Sequence, residues 1–151
     1  MHELVQLHHL TRTEFLRGLN GVSDDDARRR LEPMNCISWI VGHLAHQERS
    51  FFVAWPRGEE PDERYGRFGY GRPASQSPLG EVMALLHEAA AEADKLLDGA
   101  TEAEMQRPVV SPDPAIEQEN LGTRLARNIF HYWLHAGEIS AIRQQLGHGP
   151  P

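Results

Sequence analysis

Apolar residues recur along four stretches of this chain at the three- and four-residue spacing of an α-helix, and no stretch shows the alternation of a half-buried strand. The first runs from about His2 to Leu19, with Leu4, Leu7, Thr11, Phe15 and Leu19 in register. The second opens near Asn35, a residue suited to cap a helix N-terminus, and continues through "CISWIVGHLAHQERSFFVAW" until Pro56 stops it. The third begins at Ser77-Pro78, a cap followed by proline in the first turn, and carries Leu79, Val82, Met83, Leu86, Ala90, Ala93 and Leu97. The fourth starts between Asn120 and Thr123 and ends in "LGHGPP", a glycine stop with prolines beyond it. The pattern predicts an all-α fold.

The connections are informative. "LNGVSDDDARR" follows the first helix and "LDGATEAEMQR" follows the third; both pair a glycine stop with a hydroxyl and an acid three residues on, Ser23 with Asp26 and Thr101 with Glu104. This predicts two short capped helices at equivalent places, and suggests two similar halves, each ending in a histidine-bearing helix. The stretch from roughly 56 to 78, "PRGEEPDERYGRFGYGRPASQSP", is a long connection, expected to be a lid or a dimer contact. Its arginine, glycine and aromatic content can suit single-stranded RNA, but Glu59, Glu60, Asp62 and Glu63 dilute the charge.

With 151 residues, 40% of them hydrophobic and 25% charged, the chain is expected to form one domain, residues 1–151, with a sizeable core. The net charge is −7 and the longest basic run is Arg28 to Arg30, which argues against a nucleic-acid partner. No apolar run reaches the ~18–20 residues needed to cross a bilayer, and the N-terminal "MHELVQLHHLTRTEF" lacks the pattern of a signal peptide. The expectation is a cytoplasmic protein without membrane partners. The single cysteine, Cys36, allows no internal disulfide and no CxxC motif. It lies two turns before His43, about 10 Å along a helix, and is expected to be structural.

Nine histidines make chance pairs common, and about half a His-x3-His pair is expected at random, so the spacing of His131 and His135 is a weak signal alone. Residues four apart do share a helix face, so both imidazoles can reach one ion. The second helix offers His43, at the edge of an apolar arc formed by Ile37, Val41, Leu44, Phe51 and Phe52. His46 lies about 60° round the helix, a reserve ligand expected to be exposed, and Gln47 is expected to be solvated. On the fourth helix His131, His135 and Glu138 share a stripe with Arg124, Arg127 and Asn128. That stripe is either a solvated face or the lining of a polar groove, and helical geometry does not choose. Zincin, ferritin-type, dinucleotide, P-loop and GxSxG motifs are absent.

"NCISWIVGHLAHQE" (35–48) and "RNIFHYWLHAGEISAIRQQLGH" (127–148) resemble the second-helix and last-helix signatures of the DinB-like (DinB/YfiT) superfamily, and the order of elements follows along nearly the whole chain. The resemblance implies a four-helix bundle of up-down-down-up course and a homodimer. It also implies one divalent ion per chain, held by His43, His131 and His135. Zn²⁺, Ni²⁺ and Fe²⁺ all accept imidazole, so the metal is not specified. Such a site leaves open positions on the ion. The implied activity is transfer of a low-molecular-weight thiol, of the mycothiol or bacillithiol type, to a small electrophile in stress or detoxification. The alternatives are a metal-dependent hydrolase and a non-catalytic metal- or ligand-binding bundle. Glu138 can serve as acceptor for a ligating histidine or as a surface acid.

Overall fold

The computed structural model describes residues 1–112 and 119–150, and among these its regular elements are all helices, without a β-strand. In chain order the helices are α1 (Glu3–Arg17), α2 (Asp24–Arg28), α3 (Ile37–Arg49), α4 (Glu63–Gly66), α5 (Leu79–Leu97), α6 (Glu102–Met105) and α7 (Leu121–Gln145). The long ones are the four that the hydrophobic spacing predicts. Helix α3 packs against both α5 and α7, and α1 packs against α7.

Helix ends follow local chemistry. Ser23 Oγ accepts from Asp26 N to start α2, Thr101 and Glu104 form a reciprocal capping box at α6, and Asn120 and Thr123 form another at α7. Two predicted caps are corrected. Cys36 rather than Asn35 is the cap residue of α3, and it makes no side-chain capping bond. At α5 the cap position falls on Pro78, and the free amide of Leu79 is met instead by Asp24 Oδ1 of α2, 2.7 Å away. A carboxylate from a distant helix does the work expected of Ser77, and that bond holds the Asp24 carboxyl below its ordinary pKa.

The buried face of α1 is also rotated from the predicted stripe. Val5, His8, Thr11, Arg12 and Phe15 point inward, while Leu7 and Leu10 are exposed. Two polar residues replace aliphatic ones because a buried acid from α3 awaits them. The predicted arc is buried throughout, and its α3 members Ile37, Val41 and Leu44 are joined in the principal core by Leu85, Leu86 and Ala89 of α5. A second apolar cluster gathers Phe51, Phe52, Leu97, Leu121, Leu125 and Ile129.

After Arg49 the helix widens into a π-helical turn, Ser50–Ala54, and then tightens into a 3₁₀ turn, Trp55–Arg57. The stretch from 56 to 78 is more ordered than a bare loop. It contains α4, and Tyr65 and Phe68 are fully buried against the core. A Cβ at Gly42 would stand 2.6 Å from the Phe68 ring, so a glycine in α3 is what lets this segment lie so close.

Candidate metal centre

Helix packing brings the predicted histidines together. His43 on α3 faces His131 and His135, one turn apart on α7, and one ligand nitrogen from each lies within 4.8 Å of the others. The Nε2 atoms of His43 and His131 are 3.3 Å apart, and those of His131 and His135 are 3.0 Å apart. Imidazole nitrogens bound to Zn²⁺ at 2.0–2.1 Å would be about 3.3 Å apart in a tetrahedron and about 2.9 Å on an octahedral face. These two separations suit a common cation, and the third, between His43 and His135, lies within 4.8 Å.

The outer nitrogens decide the protonation pattern. His43 Nδ1 lies 2.7 Å from the Phe68 carbonyl oxygen and His135 Nδ1 lies 2.6 Å from Glu138 Oε2, both acceptors. Each Nδ1 therefore carries its proton, and each Nε2 presents a lone pair towards His131. Burial, and secondarily the neighbouring imidazoles, lowers the pKa of His131 to about 3; burial also lowers that of His43, against the pull of its bond to Phe68. At neutral pH both are uncharged, as ligation requires. Ligation by His131 through Nε2 would place its proton on Nδ1, which is buried without a partner among the described residues. Two lone pairs converging on a third uncharged imidazole with no room for a proton at every contact form a donor set that can hold a divalent ion.

The stripe on α7 is thus mostly buried or half-buried, and its residues Arg127 and His131 line a cavity. Arg124 and Asn128 are fully buried and His135 nearly so. Glu138 is the hydrogen-bond acceptor of a histidine in the group, the arrangement that orients metal ligands from behind. His46 is half-buried instead of exposed, with its ring parallel to that of His43 at 6.3 Å, because Gly69 of the 56–78 segment folds over it. Burial lowers its pKa to about 4. Gln47 is likewise half-buried, its amide 3.2 Å from that of Asn128. Cys36 is buried, and its Sγ donates to the Ser75 carbonyl.

A cavity of about 390 Å³ opens beside the histidines. His43, His46, Gln47, Ser50 and His131 form its polar side, and Phe51, Trp55 and Tyr70 its aromatic side, with Arg127 also on the wall. The π-helical turn supplies Ser50 and Phe51, and the 56–78 segment supplies Tyr70, which is 97% exposed. A second group, His9, Asp94 and Asp98, also brings three ligand atoms together. Its acids are already engaged, Asp94 by Arg12 and Asp98 by His9.

Sequence reasoning missed the buried network behind the cavity. Glu48 is fully buried; it accepts from Arg12 Nε at 2.8 Å and from Arg12 Nη2, and from the Tyr132 hydroxyl at 2.6 Å, with His8 Nε2 3.2 Å away. Burial alone would raise the pKa of this carboxyl, but the His8 bond and the Arg12 charge bring it down to about 2. Tyr132 belongs to the principal core, and the His8 ring lies 6.0 Å from that of Phe52 in the second cluster, so the network sits where the two meet. The signal was available: Glu48 is in helical register with Ile37, Val41 and Leu44, an acid on an apolar arc.

Comparison with known proteins agrees with this geometry. The family model of the DinB superfamily matches residues 7–139. The chain belongs to the DinB superfamily. None of the curated proteins matches it. The family match spans both helices that carry the histidine group, and no described helix of this DinB-superfamily chain is long and apolar enough to cross a membrane.

Proposed function

We propose that this DinB-superfamily chain binds one divalent metal ion through His43, His131 and His135 and transfers a low-molecular-weight thiol to a small electrophile. The convergence of two Nε2 lone pairs on His131 carries the reading. A divalent ion bound there would act as a Lewis acid that lowers the thiol's pKa and holds the thiolate. The chain's own residues do the rest. Phe68 and Glu138 fix the ligating faces of His43 and His135. Phe51, Trp55 and Tyr70 offer apolar surface to the carbon skeleton of an electrophile.

Thiol transfer is favoured over hydrolysis by the lining of the cavity. Among the described residues no carboxylate lines it. His46, the histidine there outside the proposed ligand set, has its pKa lowered to about 4 by burial, which makes it a weak base towards attacking water. A thiol arriving as thiolate needs none. The four long helices are read as an up-down-down-up bundle, in keeping with the family. A homodimer is part of the same reading, and exposed Leu7 and Leu10 on α1, beside Phe130, Trp133 and Leu134 on α7, offer it an apolar face.

Incubating the metal-loaded protein with a panel of thiols and generic electrophiles, beside a panel of esters and amides, tests the proposal. Thiol adducts formed above the uncatalysed rate, with no ester or amide cleavage, are the expected result. Cleavage alone would establish the hydrolase, and silence in both panels despite bound metal would establish a binding protein.

A further inference from the structure

Behind the cavity a chain of side chains runs from Gln47 through Asn128 and His8 to Glu48. The Gln47 and Asn128 amides are 3.2 Å apart, the Asn128 amide is 2.9 Å from His8 Nε2, and His8 Nε2 is 3.2 Å from Glu48 Oε1. Which way the hydrogen bonds run along this chain decides what Gln47 shows to the cavity.

Glu48 fixes the direction. Its carboxyl is ionised, held so by His8 and Arg12 against the cost of burial, and an ionised carboxylate only accepts. His8 is fully buried and its pKa is lowered by that burial, so the ring carries one proton. On Nδ1 that proton would be a buried N–H with no partner, and the Nε2 lone pair would face a carboxylate at 3.2 Å. On Nε2 it has acceptors, and Nδ1 keeps only an unused lone pair, the cheaper group to leave unpaired. The proton is therefore on Nε2.

Two donors cannot face each other at 2.9 Å, so the Asn128 atom beside His8 is its oxygen. Its NH₂ then faces Gln47, and the Gln47 atom that meets it is the carbonyl oxygen. The structure places both amides the other way round, with Asn128 Nδ2 towards His8 and Gln47 Nε2 towards Asn128. The two ends of an amide are nearly alike in shape, and a half-turn of each exchanges them without moving a neighbour. Gln47 lines the cavity, and among the described residues its inner amide branch alone has a partner. The outer branch is then NH₂.

We propose that Gln47 is a ligand-binding residue that presents an N–H donor beside the metal histidines, so that the ligand carries an accepting oxygen, carbonyl or carboxylate, next to the atom that meets the metal. The ligand half of this rests on the metal reading above; the direction of the chain does not. Glu48, buried away from the cavity, is a positioning residue that sets the chemical sign of the group at its surface.

Two measurements test it. Long-range ¹H–¹⁵N correlation spectra of the full chain report the His8 tautomer: the proton is expected on Nε2, and a proton on Nδ1 overturns the direction argued here. Calorimetric titration of the zinc-loaded protein then compares mercaptoacetate, a thiol with an accepting carboxylate, with ethanethiol, a thiol without one. Wild type is expected to prefer mercaptoacetate. Gln47→Met should reduce that preference by about tenfold or more, the worth of a hydrogen bond to a charged group, and leave ethanethiol binding unchanged. Gln47→Glu should abolish the preference. An unaltered preference in Gln47→Met overturns the role of Gln47. Failure to take up zinc or either thiol contradicts the metal reading and the ligand class with it, while the His8 tautomer still decides the direction of the chain.

Discussion

His43 donates its Nδ1–H to the carbonyl oxygen of Phe68, 2.7 Å away across 25 residues of chain. The ring of the same Phe68 lies over Gly42, the residue before His43, where a Cβ would come within 2.6 Å of it. One close contact between α3 and the 56–78 segment thus sets both the packing of that segment and the ligating face of a histidine. Gly42→Ala is expected to push Phe68 away, costing about 1–3 kcal/mol as overpacking, and to weaken metal binding. Urea unfolding and chelator competition on the same variant read the two effects. Loss of stability with full metal affinity would uncouple them.

Glu138 accepts from His135 Nδ1 at 2.6 Å. Glu138→Ala should lower metal affinity about 10- to 100-fold, the usual cost of removing such a partner, with little change in helix content. Glu138→Gln keeps an acceptor and should fall between. Competition with a coloured chelator measures all three proteins, and equal affinities would reduce Glu138 to a surface acid.

The four long helices and the His131–His135 pair were legible in the sequence because each depends on spacing within one helix. Joining that pair to His43 came from the resemblance to the DinB-like superfamily, since no spacing links two helices. Leu79 to Leu97 reads as α5 from its own apolar period, and His131 and His135 share a face whatever surrounds them. What failed was contact between distant segments. Nothing near Ser77 announces that Asp24 caps α5, and nothing near His46 announces that Gly69 covers it. Leu7 was placed inward because it is apolar, yet α1 turns Arg12 and His8 inward to meet Glu48. The choice between a solvated face and a groove on α7 needed the neighbouring helices.

Glu48 and Arg12 pair in the interior, with Tyr132 and His8 completing the shell around the carboxylate. Glu48→Gln should leave Arg12 with Asp94 as its remaining carboxylate partner and cost up to about 3–5 kcal/mol, the range seen when one partner of a buried ion pair is removed. The double variant Glu48→Met with Arg12→Met should recover part of that loss, because no charge is left buried alone. Chemical denaturation of the three proteins checks the order, and additive losses would show that the two residues act independently.

Acid should destabilise the metal-free chain in two overlapping ranges. Burial lowers the pKa of His8, His43, His46 and His131 in the folded state, so below an unfolded value of about 6.5 the unfolded chain binds more protons and stability falls with pH. The Glu48 carboxyl, at about 2 when folded, stabilises fully above its unfolded value and loses that contribution as pH drops from there towards 2. Urea midpoints measured from about pH 7.5 down to about pH 5 should decline steadily, through the histidine contribution first. A flat profile would mean that these imidazoles are hydrated.

The most direct test of the three-histidine centre is the metal content of the purified protein beside His131→Ala, determined by elemental analysis after loading with zinc and exhaustive dialysis. Close to one equivalent per chain is expected for the wild type and little or none for the variant, with the helical spectrum of both the same. Equal metal in the two proteins would contradict the site and every chemical step assigned to it.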